Sequence, residues 1–203
     1  NVTLWSPFQE EINSIRRFEE HKKLLPGVPI SSSIQLTTSL EEAAKSDLII
    51  MAVPSFAISS TAQKLAPYLP KGALIANASK GLESGTHRRF SEVLKQLLPQ
   101  ARVVVLSGPS HAEEVGRGVP TTVISASDDI DAAEAVQDLL MNPDFRVYVN
   151  SDVIGVELGG ALKNVIALAA GICDGLEVGD NTKAALMTRG LAEIARLGMA
   201  LGA

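Results

Sequence analysis

Lys163 is the only cation in the run Gly155-Val-Glu-Leu-Gly-Gly-Ala-Leu-Lys163-Asn164, which continues apolar through Gly171. The run reads as one long helix whose polar side chains are Glu157, Lys163 and Asn164. At helical spacing the neighbours of Lys163 are Gly159 and Gly160 one turn before and Ala167 and Ala170 after, so small residues surround an ammonium group. Such a group can pass a proton or hold an anion in a substrate-sized gap. The competing reading is a core helix whose lysine snorkels to water along its own apolar stem. Against it stand the two glycines, each of which costs a helix roughly 1 kcal/mol relative to alanine.

Two loops add to this chemistry. Ser79-Lys80-Gly81 follows a strand of buried type, where an ammonium can meet a phosphate as a mobile point charge; a solvated loop lysine is the plain alternative. Ser107-Gly108-Pro109-Ser110 offers a glycine amide, a turn fixed by proline and a hydroxyl at the start of a helix. That hydroxyl either caps the helix or joins its amide end in binding an anion. His111 reads as a surface helix residue, since no orienting partner for a catalytic histidine is identifiable, and His21 and His87 lie in charged segments without a role. No Cys, His or Asp cluster has metal-ligand spacing, so no metal site is expected.

The elements that must position these residues alternate between strand and helix. Apolar runs predict strands at 2–5, 34–37, 47–53, 73–76, 103–106, 121–125 and 146–148. Periodic segments predict helices at 9–24, 58–69, 88–98, 110–117, 130–140, 154–173 and 183–201, and Ser39 with Glu42 marks a capping box before a short one. The continuous apolar strand 47–53 is the type covered on both faces. This rhythm implies an α/β fold, a doubly wound and mostly parallel Rossmann-like sheet, followed by the start of an all-helical unit. The boundary is placed near Asn150, giving a unit at 1–150 and helices at 151–203. Ligands of such sheets bind beyond the carboxyl ends of the strands, which selects Ser6-Pro7, Pro54-Ser55, the 77–81 loop and the 107–110 loop. The first strand ends Leu4-Trp5-Ser6-Pro7-Phe8, with neither the acidic residue that selects NAD nor the arginine that accommodates NADP, so that choice stays open.

Composition sets outer bounds. The 203 residues are 46% hydrophobic and 20% charged, which suits a soluble globular fold. A net charge of −5 argues against nucleic acid as a partner but leaves room for a small anion held by one or two lysines. The single cysteine, Cys173, cannot form an internal disulfide. The stretch 154–173 is nearly long enough to span a bilayer, yet Glu157, Lys163, Asn164 and its glycines predict burial in protein rather than lipid. The sequence opens inside a strand and stops just after a helix, so further segments are expected on both sides.

Taken together, Asn77-Ala-Ser-Lys80-Gly-Leu-Glu, Leu106-Ser-Gly-Pro-Ser110-His-Ala112-Glu-Glu, Phe145-Arg-Val-Tyr148, Gly155-Val-Glu-Leu-Gly-Gly-Ala-Leu-Lys163-Asn-Val-Ile and Thr188-Arg-Gly-Leu-Ala-Glu resemble the NAD(P)-dependent glycerol-3-phosphate dehydrogenases of the bacterial type. The resemblance covers essentially the whole chain, with its motifs in family order. It implies an oxidoreductase that passes a hydride reversibly between NAD(P)H and dihydroxyacetone phosphate, giving sn-glycerol 3-phosphate for glycerophospholipid synthesis. By it, Lys163 matches the proton-transferring lysine, and Lys80 the lysine touching cofactor and substrate. Gly108 and Ser110 match substrate-binding positions, with serine here where many relatives carry threonine, and Asn164 is expected to hold the ammonium or the carbonyl oxygen in line. Ala112 matches a cofactor contact, and Pro7, Pro54 and Lys80 complete the expected cofactor set. Pro7 stands where relatives often place a basic or polar residue near the adenosine. A lysine among apolar side chains gives up its proton more readily, which would suit both directions of the reaction.

The resemblance also implies a glycine-rich loop before Asn1, substrate residues after Ala203, a cytoplasmic homodimer and no membrane insertion, and it implies that these 203 residues alone do not turn over. Related dehydrogenases of hydroxy acids, ketopantoate or sugar nucleotides, and a non-catalytic nucleotide-binding module, are the alternatives.

Overall fold

The computed structural model describes all residues 1–203. Strand β1, Thr3–Trp5, leads into helix α1, Gln9–Phe18, which buries Ile12 and Ile15 and sets Glu10 and Glu11 in its first turn and Arg16 and Arg17 in its last, each favourable to the helix dipole. Helix α1 stops six residues short of the expected 9–24. Glu19 turns left-handed (φ 51°) and its amide bonds the Ile15 carbonyl, after which Glu20–His21 (β2) pairs antiparallel with Leu25–Pro29 (β3). Pro26 drives Leu25 out of the helical region, so the 20–24 segment could not continue the helix.

Strand β4, Gln35–Thr37, lies parallel to β1. Ser39 caps α2, Leu40–Ala43, through a 3.3 Å bond from the Glu42 amide. The reciprocal half of the expected capping box is absent, because the Glu42 carboxylate takes the Thr37 hydroxyl instead.

The remaining strands form one sheet in the order β5-β6-β7-β8-β9, made by Leu48–Met51, Leu74–Asn77, Arg102–Ser107, Thr121–Ala126 and Phe145–Asn150. Between them run α3 (Ile58–Leu65), α4 (Phe90–Leu97), α5 (Ala112–Gly116) and α6 (Ile130–Leu140). Neighbouring strands are parallel except β7 and β8, which are antiparallel with Leu106 opposite Ser125. Helix α5, at five residues, is too short for the crossover a parallel neighbour needs.

Alternate residues of the strands feed two cores, as a sheet covered on both faces requires. Ile75 and Val103 pack with Ile58, Leu65, Phe90 and Leu94 of α3 and α4; Ala76, Val104, Val123 and Val147 pack with Ala132 and Val136 of α6.

Helix α7, Val153–Gly175, begins on this sheet, with Val153 against Val105 and Ala126, and turns back as α8, Asp180–Ala200. Burial of the whole 154–173 stretch was expected. Only Val153, Glu157 and Leu158 of α7 are buried, while Val165 is 65% and Leu168 69% exposed. By length and composition alone, with a mean hydropathy of 1.6, α7 is long and apolar enough to cross a membrane.

Candidate active site

The carboxyl ends of β5, β6 and β7 stand in register, Met51 beside Asn77 and Asn77 beside Val105, so their loops emerge together. Asn77 is buried and both ends of its amide bond Ser79, from Nδ2 to the Ser79 carbonyl at 3.0 Å and from the Ser79 amide to Oδ1 at 3.2 Å. The Ser79 hydroxyl in turn donates to the Val53 carbonyl at 2.5 Å, which ties the loop after β6 to the loop after β5. Lys80 leaves this braced turn half-buried and donates a 3.0 Å hydrogen bond from Nζ to Ser110 Oγ.

The loop after β7 turns at Gly108 with φ 149°, and a Cβ there would stand 2.8 Å from the Thr122 carbonyl oxygen and 2.9 Å from Val123 Cα. Because β8 returns directly behind the turn, only glycine fits. Ser110 does not cap α5: the N-cap is His111, without a side-chain cap, and the Ser110 hydroxyl serves Lys80 and, at 3.4 Å, the Gly108 carbonyl.

Helix α7 crosses over the end of β7 at Gly160. A Cβ on Gly160 would meet Ser107 Oγ at 2.6 Å and Lys80 Cγ at 3.6 Å, so the missing side chain is what lets the helix lie this close. One turn on, Lys163 lines a cleft of about 590 Å³ together with Ser107, Gly108, Pro109, Gly159 and Gly160. Lys163 itself is exposed, in contrast to the apolar burial expected for it. Its charge is nonetheless felt by Lys80, whose pKa lies below its ordinary value, first because of burial and second because of the Lys163 ammonium. Neither lysine forms an ion pair with any carboxylate. Lys80 and Ser110 do not line this cleft, whose lining includes Asp152. Lys80 packs against Gly160 at its edge, near enough to Lys163 to set two cations without carboxylate partners close together, an arrangement that favours an anion.

Of the candidate positions only Gly108 and Lys163 line the cleft, and the remaining ones lie outside it. Asn164 is exposed on the flank of α7, and Pro7, Pro54 and Ala112 are exposed at the ends of β1 and β5 and at the start of α5. His111 is a surface residue paired with Glu113 at 2.5 Å. His21, given no role from sequence, is half-buried and bridges Glu11 at 2.7 Å, while Glu11 also receives the buried Ser6 hydroxyl at the end of β1. Ser107, whose hydroxyl the helix nearly touches, had no separate signal in the sequence, and neither did Ser91 and Arg89, which hold the buried Glu157.

A Rossmann-like sheet with a lysine-bearing loop at one strand end and a helix laid across the next is an architecture that dinucleotide-dependent dehydrogenases use. Comparison with known proteins narrows the class. A family model described as NAD-dependent glycerol-3-phosphate dehydrogenase N-terminus matches residues 1–133, and its C-terminal counterpart matches residues 152–203. The chain belongs to the NAD-dependent glycerol-3-phosphate dehydrogenase family.

It is 56% identical to glycerol-3-phosphate dehydrogenase [NAD(P)+] of Moorella thermoacetica, over 99% of this chain and 60% of that protein. It is 57% identical to the Bacillus velezensis protein of the same name, over 99% and 59%. The crystal structure of glycerol-3-phosphate dehydrogenase from Coxiella burnetii superposes with a TM-score of 0.91 at 36% identity, covering 100% of this chain and 62% of that one. The chain thus spans about 60% of the length of the curated relatives it matches.

Proposed function

We propose that the chain forms the cofactor-side unit and the first substrate-side helices of an NAD(P)-dependent glycerol-3-phosphate dehydrogenase, with the division near Asn150. The observation that carries this reading is that Lys163 lines the cleft with Gly108 while Lys80, held by Ser110, stands near enough to feel the Lys163 charge, neither lysine being paired with a carboxylate. That donor set fits a phosphate-bearing substrate, because two ammonium groups and a hydroxyl neutralise and bind a phosphate monoester. It also fits a nicotinamide dinucleotide, which doubly wound sheets hold at the carboxyl ends of their strands. The family match and the named relatives support the same activity.

The reaction in this reading is reversible hydride transfer between NAD(P)H and dihydroxyacetone phosphate, giving sn-glycerol 3-phosphate. The cofactor, NAD or NADP, supplies or takes up the hydride. Lys163, as the ammonium, gives a proton to the C2 oxygen during reduction, and as the free amine removes one during oxidation. Lys80, held by Ser110, binds the substrate phosphate and touches the cofactor, with the Gly108 backbone closing that side. Asn164 completes the substrate set by orienting the lysine or the oxygen, and Pro7, Pro54 and Ala112 join Lys80 along the cofactor path. The exposed apolar faces of α7 and α8 suit burial against a second copy in a homodimer. The cytoplasm as its place and glycerophospholipid synthesis as the use of its product follow from the family resemblance alone.

A substrate comparison on the intact gene product tests the reading through consumption of NADH or NADPH. Dihydroxyacetone phosphate is expected to be reduced, while dihydroxyacetone and ketopantoate are not. Turnover of a carboxylate ketone without need for phosphate would overturn it.

A further inference from the structure

Glu157 is the one buried carboxylate of the chain, and nothing in the reaction above uses it. Six residues separate it from Lys163 on α7, about 9 Å along the axis and on a different face, so it cannot meet the amine or its substrate directly. Its partners lie on another element. One oxygen accepts the Ser91 amide at 2.8 Å; the other accepts the Ser91 hydroxyl and, at 3.4 Å, Arg89 Nη1.

Ser91 stands in the first turn of α4, whose N-cap residue Arg89 supplies no side-chain cap. A carboxylate from a distant helix therefore caps α4. The anchor is rigid, because the side chains of Phe90, Val93 and Leu94 on α4 are fully buried in the core. The same helix closes the loop that carries Lys80: a Cβ on Gly81 would lie 3.7 Å from the Phe90 ring.

Helix α7 is thus seated at two points, Glu157 on Ser91 and Gly160 on Ser107 and Lys80, and Lys163 follows on the next turn. A carboxylate buried this deeply is kept where its hydrogen bonds fix a geometry that an apolar contact would let slide. We infer that Glu157 is a positioning residue for the proton-transferring lysine, a tether from α7 to the start of α4 that sets where the Lys163 amine stands relative to Lys80. The inference rests on the assignment of Lys163 in the proposed function.

The test compares Glu157→Ala, Glu157→Gln, Ser91→Ala and Lys163→Ala in the intact gene product. Each is assayed for kcat with dihydroxyacetone phosphate and for NAD(P)H affinity by fluorescence titration. Glutamine can accept the Ser91 amide and donate to the Ser91 hydroxyl, so it keeps both bonds, whereas alanine keeps neither.

Glu157→Ala is expected to lower kcat by about 10- to 100-fold, as a misplacement near 1 Å does, with NAD(P)H affinity within about twofold of wild type. Glu157→Gln should recover most of that loss, and Ser91→Ala should fall between them. The inference is overturned if Glu157→Ala keeps wild-type kcat while Lys163→Ala is inactive. It is equally overturned if Glu157→Ala loses cofactor affinity and kcat in parallel, which marks a purely structural role. Turnover by Lys163→Ala would instead overturn the assignment of the lysine itself, and the two failures are told apart by that control.

Discussion

Lys80 Nζ and Ser110 Oγ stand 3.0 Å apart, joining the loop after β6 to the loop after β7 by a bond from a cation to a neutral hydroxyl. A carboxylate in that place would neutralise the lysine, but a hydroxyl only aims it. Removing the hydroxyl in Ser110→Ala should leave the ammonium unaimed and weaken substrate binding by about 1 kcal/mol, or about fivefold in KM. Ser110→Thr, which keeps the hydroxyl, should stay near wild type. Steady-state KM for dihydroxyacetone phosphate in the two variants checks this.

Gly108 is a position where no side chain fits. Its φ of 149° and the 2.8 Å and 2.9 Å approaches to backbone atoms of β8 leave Gly108→Ala nowhere to relax, since backbone rather than a flexible side-chain tip blocks the methyl. A loss of about 2–4 kcal/mol in unfolding free energy is expected, read from urea denaturation.

Gly160 differs in kind. The atom facing a new methyl is the Ser107 hydroxyl, which can rotate away, and alanine favours the helix over glycine by about 1 kcal/mol. Gly160→Ala should therefore unfold at about the wild-type denaturant concentration. Gly160→Val should lift α7 from Ser107 and Lys80 and lower kcat about tenfold or more, because the amine one turn on moves with the helix.

The loop carrying Lys80 also has a pH signature. Glu83 is held at about 2, well below 4.5, by the Thr86 hydroxyl first, then by Ser59 and Arg88. A lowered carboxylate contributes stability above its unfolded value and loses it as pH falls through the folded one. Wild type should therefore exceed Glu83→Gln in thermal midpoint near neutral pH, and the two should converge as pH drops from 4.5 to about 2. Parallel melting curves across that range test it.

The alternation of elements, their order and the loops at the strand ends were legible because the helical and strand periods are local properties of sequence. Strand direction at β8 was not, although the cue existed: the connection from Gly108 to Pro120 holds only a five-residue helix. The hairpin after α1 was hidden because Leu25 to Pro29 contains two prolines and a glycine, which read as breakers rather than as a strand pairing with Glu20 and His21.

At the site, Lys163, Lys80, Gly108 and Ser110 could be singled out by residue type, but their separation could not. Periodicity reports which faces of α7 are apolar, not what covers them, and so burial was expected around Lys163 where the structure leaves it exposed. The partner of Glu157 lies 66 positions away at Ser91, where the only local hint was a helix start without a capping side chain.

The amine of Lys163 is the centre of the account, and its removal is the most direct test. In the intact gene product, Lys163→Ala is expected to lower kcat with dihydroxyacetone phosphate by about 100-fold or more, while NAD(P)H binding by fluorescence titration stays within about twofold of wild type. Unchanged turnover in that variant would contradict the account.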